Sequence, residues 1–333
     1  MRVAVLGATG LVGQKFVALL HKWFPWHICE VVASETKYSQ TYGSACVWQE
    51  SLGPMPESMA QVPIRRIEEV ESDIIVSFLP ERIAESLETY CLSQGKLIFS
   101  NSSAFRMHPT VPIIIPEVNQ DHLSLIARQP FPGRIITNSN CCVSGIALAL
   151  APLREFGIDR ANIVTLQSAS GAGHPGVASM DILGNTIPHI VGEEEKILKE
   201  TLKILGKCDE PAQFSIAVTV HRVPVVYGHT LTLHVTFLDP VDIEDILRCY
   251  HHRNVAFPGT YKLYDSPWHP QARKDLADDD MRVHIGPITY GSDSRTIKMN
   301  VLIHNLVRGA AGALLTNMHN YCFQNSGEYA CLQ

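Results

Sequence analysis

The opening of this chain limits its fold more than any other stretch. Val3 to Leu6 is a short apolar run, Gly7-Ala8-Thr9-Gly10-Leu11-Val12-Gly13 is a glycine-rich turn, and Val12, Phe16, Leu19 and Leu20 then recur at helical spacing. A strand that enters a helix through such a turn starts a parallel α/β sheet. Absent side chains let the backbone approach a pyrophosphate, and the helix N-terminus offers N–H groups and the positive end of its dipole. The spacing Gly7-x-x-Gly10-x-x-Gly13 is a variant of the dinucleotide fingerprint. The competing reading is an ordinary tight turn of an α/β fold. Where the second strand should meet the adenosine ribose stand Ser34, Glu35, Thr36 and Lys37. An acid there favours free ribose hydroxyls and a base favours a ribose phosphate, so this segment leaves both open.

The alternation continues. Ile28 to Ala33, Asp73 to Leu79, Gly95 to Ser100 and Arg134 to Thr137 read as strands, with a helix over Ile83 to Ser93. Beyond residue 140 the pattern changes. Val143 to Phe156 and Glu193 to Leu205 read as helices. Ser215 to Val220, Thr230 to Phe237 and Thr296 to Ile303 read as strands of an antiparallel or mixed sheet. Residues 253 to 294 read as long loops, and Gly309 to Phe323 as a last helix. At about 150 residues per domain, 333 residues predict two domains.

With 46% apolar and 18% charged residues the chain can bury cores, which excludes disordered, coiled-coil and collagen-like classes. A net charge of −6 without a dense basic tract argues against nucleic acid as a partner. No apolar run reaches the roughly 18 residues of a membrane span, and the polar breaks in Met1 to Leu20 argue against a signal peptide. Nine cysteines, an odd number without a Cys-x-x-Cys pair, fit a reducing cytoplasm. No metal-binding spacing of histidines is visible, and His251-His252 stands alone.

Asn138-Ser139-Asn140-Cys141-Cys142 lies between a predicted strand and a predicted long helix. Asn140 suits an N-cap and Cys141 the first turn, where a thiol pKa falls and N–H groups can hold an oxyanion. The alternative is that both cysteines are buried packing residues.

Eight blocks, taken in order, resemble aspartate-semialdehyde dehydrogenase, nearest the branch of archaea, fungi and some bacteria. They are the Gly7–Gly13 turn, Ser100-Asn101-Ser102-Ser103-Ala104-Phe105-Arg106-Met107, Ile115-Pro116-Glu117-Val118-Asn119, Ser139-Asn140-Cys141, Gln167-Ser168-Ala169-Ser170-Gly171-Ala172-Gly173, Glu193-Glu194-Glu195-Lys196, Arg222-Val223-Pro224-Val225-Val226-Tyr227-Gly228-His229 and Arg308-Gly309-Ala310-Ala311-Gly312. The resemblance implies an α/β chain with a Rossmann-type dinucleotide-binding domain over 1–138, completed by a C-terminal helix within 305–333. It also implies an α+β catalytic and dimerisation domain with a mixed sheet over 139–304. The reaction it implies is NADPH-dependent reduction of 4-aspartyl phosphate to L-aspartate 4-semialdehyde with release of phosphate. That reaction serves lysine, threonine, methionine and diaminopimelate synthesis, in a homodimer or homotetramer.

By the same resemblance Cys141 is the nucleophile, His229 the acid/base and Gln167 a substrate-positioning catalytic residue. Arg222 holds the substrate carboxylate as a planar fork. Arg106 and Lys196 hold the phosphoryl group, and Glu194, or its neighbour Glu193 if the match slips by one residue, faces the ammonium. Cofactor contacts fall on Gly7, Thr9, Gly10, Leu11, Val12, Gly13, Ser34, Lys37, Asn101, Ser170, Gly171, Gly173, Asn305 and Gly309. Departures from the family pattern also stand out. Thr36-Lys37-Tyr38-Ser39 lacks the usual NADP-binding arginine, which leaves Lys37 as its substitute and NAD as a second cofactor. Ser139 stands where the family has proline, and Cys142 where it has Ser or Thr. The rivals are a CoA-thioester reductase such as a malonyl-CoA reductase, N-acetyl-glutamyl-phosphate reductase, and an inactive dinucleotide sensor. The first two have no call for an ammonium partner. A sensor would be free to lose one of Cys141, Gln167, Arg222 or His229.

Overall fold

The computed structural model describes residues 2–24 and 27–324. The chain divides into two compact units: Met1–Pro116 with Asp121–Asn138 and Ala310–Gln333, and Glu117–Gln120 with Ser139–Gly309. Residues 325–333, the end of the expected C-terminal segment, lie outside the described residues.

The first unit holds a six-stranded parallel sheet. Its strands are β1 (Arg2–Leu6), β2 (His27–Val32), β3 (Ile64–Arg65), β4 (Ile74–Ser77), β5 (Leu97–Ser100) and β6 (Arg134–Thr137). Their order is β3-β2-β1-β4-β5-β6. The order reverses between β1 and β4, and nucleotides bind at such a switch point, outside the strand C-termini. Strands covered on both faces need near-continuous apolar sequence, and Val3, Ala4, Val5 and Leu6 are all fully buried. Helices α1 (Leu11–Trp23) and α2 (Glu81–Ser93) join consecutive strands. Ile75, Ile98, Ile135 and Leu92 share one apolar cluster with Ala4 and Leu6. The last helix (Gly312–Gln324) belongs to this unit: Tyr321 meets Phe99 edge-on at 6.0 Å, and Asn317 Nδ2 donates to the Ile114 carbonyl at 3.0 Å. A π-helical turn over Val307–Ala311 leads into that helix, which the sequence reading started at Gly309.

The second unit is built on a seven-stranded mixed sheet of β7 (Ile158–Ser168), β8 (Ser215–Val223), β9 (His229–Phe237), β10 (Tyr261–Leu263), β11 (Val283–Ile285), β12 (Thr289–Tyr290) and β13 (Thr296–Ile303). The order is β10-β11-β13-β9-β7-β8, with β12 on β13. The longest strand, β7, was not anticipated. Nor were β10, β11 and β12, which fall where long loops were expected. Those three are only two or three residues long and sit among Pro, Gly and Asp. Helix α3 (Cys141–Leu150) starts two residues before the expected one and passes into a 3-10 turn over Ala151–Phe156, with Pro152 near its start. Gly145 lets α3 lie close on the sheet, since a Cβ there would sit 3.0 Å from Leu231 and 3.1 Å from Ile303. Helix α4 (Glu193–Leu205) has the expected bounds. Helix α5 (Ile243–Ala256), not read from the sequence, buries only Ile246 and Tyr250 and starts at Asp242, whose side chain accepts from the Glu244 N–H.

Candidate active site

In the first unit the turn after β1 makes a cradle. Gly7 has φ +76°, a region that favours glycine, and a Cβ there would touch the Phe78 carbonyl at 3.0 Å. A Cβ on Gly13 would lie 2.4 Å from the Gly7 carbonyl oxygen, so only glycine lets the helix approach the strand this closely. Gly10 is the N-cap of α1. Thr9, Leu11 and Val12 are partly exposed along the same turn. With glycine at the N-cap and no side-chain capping hydrogen bond, the helix start fits a dinucleotide phosphate. Ser34 and Lys37 follow β2 in a short 3-10 turn, with Ser34 Oγ 3.1 Å from Thr36 Oγ1. A second cation that sequence reading did not single out, Arg66, follows β3 and lies 5.3 Å over the Tyr38 ring. Past β5, Asn101 accepts from Asn138 Nδ2 at 3.0 Å through its side chain, and from Arg106 Nη2 at 2.7 Å through its carbonyl. The Gly turn, Ser34, Lys37, Asn101 and Arg106 thus all follow C-terminal strand ends of one sheet.

In the second unit Asn140 caps α3. Its Oδ1 accepts from the N–H groups of Cys142 at 2.8 Å and Val143 at 3.4 Å, so Cys141 opens the helix. Cys141 Sγ is 3.1 Å from Nε2 of His229, which is fully buried at the start of β9. His229 Nδ1 accepts from the Ser168 N–H at 3.0 Å. The neutral ring therefore carries its hydrogen on Nε2, facing the sulfur. Gln167 and Arg222 are cross-strand partners on β7 and β8, and Arg222 Nη1 donates to the Ser168 carbonyl at 2.9 Å. Gly171 shows how tightly this end is packed: a Cβ there would be 2.6 Å from Arg222 Nη1 and 3.0 Å from the His229 ring. Ser170 and Gly173 share that turn. Asn305 ties it down, donating to Ser170 Oγ at 2.9 Å and accepting from the Gly228 N–H at 2.9 Å. A Cβ on Gly309 would reach Cys141 Cβ at 2.9 Å, so the glycine packs directly on the thiol residue.

The acid of α4 that reaches this cluster is Glu193 and not Glu194. Glu193 Oε1 accepts from Gln167 Nε2 at 3.1 Å and from Asn140 Nδ2 at 2.9 Å. Glu194 Oε1 instead accepts from the Val220 N–H at 3.3 Å. Adjacent helical residues point about 100° apart, so a one-residue shift moves a side chain off the site. Lys196 is partly exposed one turn beyond Glu193. Sγ of Cys141, Sγ of Cys142 and the His229 ring nitrogen lie within 4.8 Å of one another, a soft donor set that sequence spacing did not reveal.

The electrostatics favour a thiolate at Cys141. Its hydrogen bond with Cys142, the hydrogen bond with His229 and the charge of Arg222 outweigh burial and hold the thiol well below its usual range. Cys142 is pushed the other way, by burial first and then by Cys141, and stays a thiol. Burial, with the Cys141 charge adding to it, raises the Glu193 carboxyl against the hydrogen bonds from Asn140 and Gln167.

A sulfur held as thiolate beside a buried imidazole, on a chain that also carries a dinucleotide cradle, is the equipment of a dehydrogenase that acylates a cysteine. The family comparisons agree. Residues 2–126 match the family model "Semialdehyde dehydrogenase, NAD binding domain", and residues 150–308 match "Semialdehyde dehydrogenase, dimerisation domain". The aspartate-semialdehyde dehydrogenase of Archaeoglobus fulgidus is 38% identical over 95% of this chain and 96% of its own. A crystal structure of aspartate-semialdehyde dehydrogenase with NADP from Candida albicans superposes with a TM-score of 0.86 at 32% identity, covering 97% of this chain and 99% of that one. A malonyl CoA reductase (NADP) of Metallosphaera sedula is 32% identical over 94% of both chains. The chain belongs to the aspartate-semialdehyde dehydrogenase family.

Proposed function

We propose that this protein reduces 4-aspartyl phosphate to L-aspartate 4-semialdehyde with NADPH and releases phosphate. The observation that carries the reading is the 3.1 Å contact between Cys141 Sγ and His229 Nε2, with Gln167, Arg222 and Glu193 gathered around it. The Cys141 thiolate attacks the acyl carbon, the acyl–oxygen bond breaks, and phosphate leaves with the electron pair. Arg222 grips the α-carboxylate, Arg106 and Lys196 the phosphoryl oxygens, and Glu193, in place of Glu194, the ammonium. Bound NADPH supplies the hydride that reduces the acyl carbon. N–H groups at the start of α3 and the Nε2–H of His229 steady the resulting oxyanion, and its collapse expels the thiolate and frees the aldehyde. In the reverse direction the same Nε2–H steadies the oxyanion that forms when the thiolate adds to the aldehyde.

Ser34 and Lys37 contact the ribose phosphate of NADP, with NAD as a poorer second cofactor. The aldehyde feeds lysine, diaminopimelate, threonine and methionine synthesis in the cytoplasm, and the protein works as a homodimer or homotetramer. The exposed side of β7 and β9, with Val164 and Leu166 among its residues, supports an assembly through that face. The inactive-sensor reading has little support, because Cys141, Gln167, Arg222 and His229 are all retained in one cluster.

The test is phosphate-dependent reduction of NADP, compared with NAD, by purified protein given L-aspartate 4-semialdehyde. Turnover that requires phosphate and prefers NADP is expected. Turnover only when CoA and malonate semialdehyde replace phosphate and substrate would move the protein to the thioester reductases.

A further inference from the structure

Helix α3 begins without the residue that usually completes a helix start. A capping box needs a polar side chain at the third helical position to reach back to the N-cap N–H. That position is Val143. Yet Asn140 is buried, so its N–H needs a protein acceptor. Glu200 provides one: its Oε2 lies 2.7 Å from Asn140 N. Glu200 is itself 2% exposed and stands seven residues after Glu193 on α4, two turns along the same face. Glu193 takes the Asn140 side-chain amide, while Asn140 Oδ1 caps α3. One helix therefore grips both the backbone and the side chain of the residue before Cys141.

We propose that Glu200 is a positioning residue for the nucleophile, completing in trans the capping box that Val143 cannot make. By fixing the Asn140 N–H it sets the backbone from which Cys141 Sγ meets His229. It also locks the start of α3 to the helix that carries Glu193 and Lys196. A buried carboxylate is costly, and an apolar residue would fill the space at no loss of stability if packing were the sole requirement. This inference rests on Cys141 as the nucleophile.

The test compares Glu200→Gln, which keeps an acceptor, with Glu200→Leu, which removes it, and with Glu200→Asp, which withdraws it by one methylene. Two readouts are used: kcat and KM in the aldehyde assay, and the pH profile of iodoacetamide labelling mapped to Cys141. The Gln variant should stay within about threefold of wild type. The Leu variant should lose about 10- to 100-fold in kcat at unchanged KM for NADP, as expected for a misplaced reacting group. Its Cys141 labelling should slow at neutral pH, with the profile moved up towards an ordinary thiol. The Asp variant should fall between them, and it keeps the test decisive should the Leu variant not fold. Wild-type kcat and labelling in folded Leu or Asp variants, with at most a lower melting temperature, would overturn the proposal. Equal damage from Gln and Leu would overturn the acceptor role. Because labelling is read at Cys141 itself, these failures differ from failure of the nucleophile reading, in which labelled wild-type protein would still turn over.

Discussion

The two sheets of this protein meet water differently. In the parallel sheet β1, β4, β5 and β6 are buried along nearly their whole length, and each ends in a polar residue or turn. In the mixed sheet β7 and β9 alternate between buried and more exposed residues. The first arrangement leaves only strand ends for function, and the cofactor candidates sit there. The second has side chains to spare on two faces, so Gln167, Arg222 and His229 turn inward while Val164 and Leu166 face outward. One sheet presents its candidate residues on the loops at its strand ends, and the other places its own strand residues around Cys141.

The largest separation of the two should come from Cys141→Ala. Turnover should drop by at least about a thousandfold, as for loss of a covalent nucleophile. NADP binding, followed by fluorescence titration, should stay near wild type. Gly13→Ala should do the reverse. The added Cβ meets the Gly7 carbonyl, and overpacking of about 1–3 kcal/mol should raise the NADP dissociation constant about 5- to 150-fold while Cys141 labelling is unchanged.

Asp280→Asn probes the mixed sheet's own stability. Burial alone would raise the Asp280 carboxyl, but hydrogen bonds from Arg282 at 2.7 Å and His284 at 2.9 Å overcome it and hold the carboxyl far below its usual range. A folded-state pKa below the unfolded value gives stability that is present above about pH 4 and lost as pH falls through the folded value. The variant should lose about 1–3 kcal/mol at neutral pH in urea unfolding, and the gap to wild type should close in acid. The smallest effect on chemistry should come from Val164→Asp with Leu166→Asp on the outward face of β7. Sedimentation should show a smaller assembly, with Cys141 labelling intact.

Legibility in the sequence follows the same division. Buried parallel strands read directly, because DIIVSFL can hardly be anything else. Strand β7 was missed for a physical reason: near its end the apolar residues Val164 and Leu166 are the exposed ones, and Thr165 and Gln167 are buried. That inverts the usual pattern, because Gln167 serves the site and the outward face is apolar. The Asn140 cap and Cys141 at a helix start were readable from local rules. The choice of Glu193 over Glu194 was not, since it depends on the rotation of α4 against Gln167 and Asn140. Glu200 left a trace, an acid on the stripe of Ile197, Thr201 and Ile204, but its purpose lies on another helix.

The most direct test of the whole account is mass spectrometry of the enzyme quenched with L-aspartate 4-semialdehyde and NADP in the absence of phosphate. A burst of about one NADPH per site, with an aspartyl thioester on the Cys141 peptide that phosphate discharges, is the predicted result. Turnover with no adduct, or an adduct on Cys142, would contradict it.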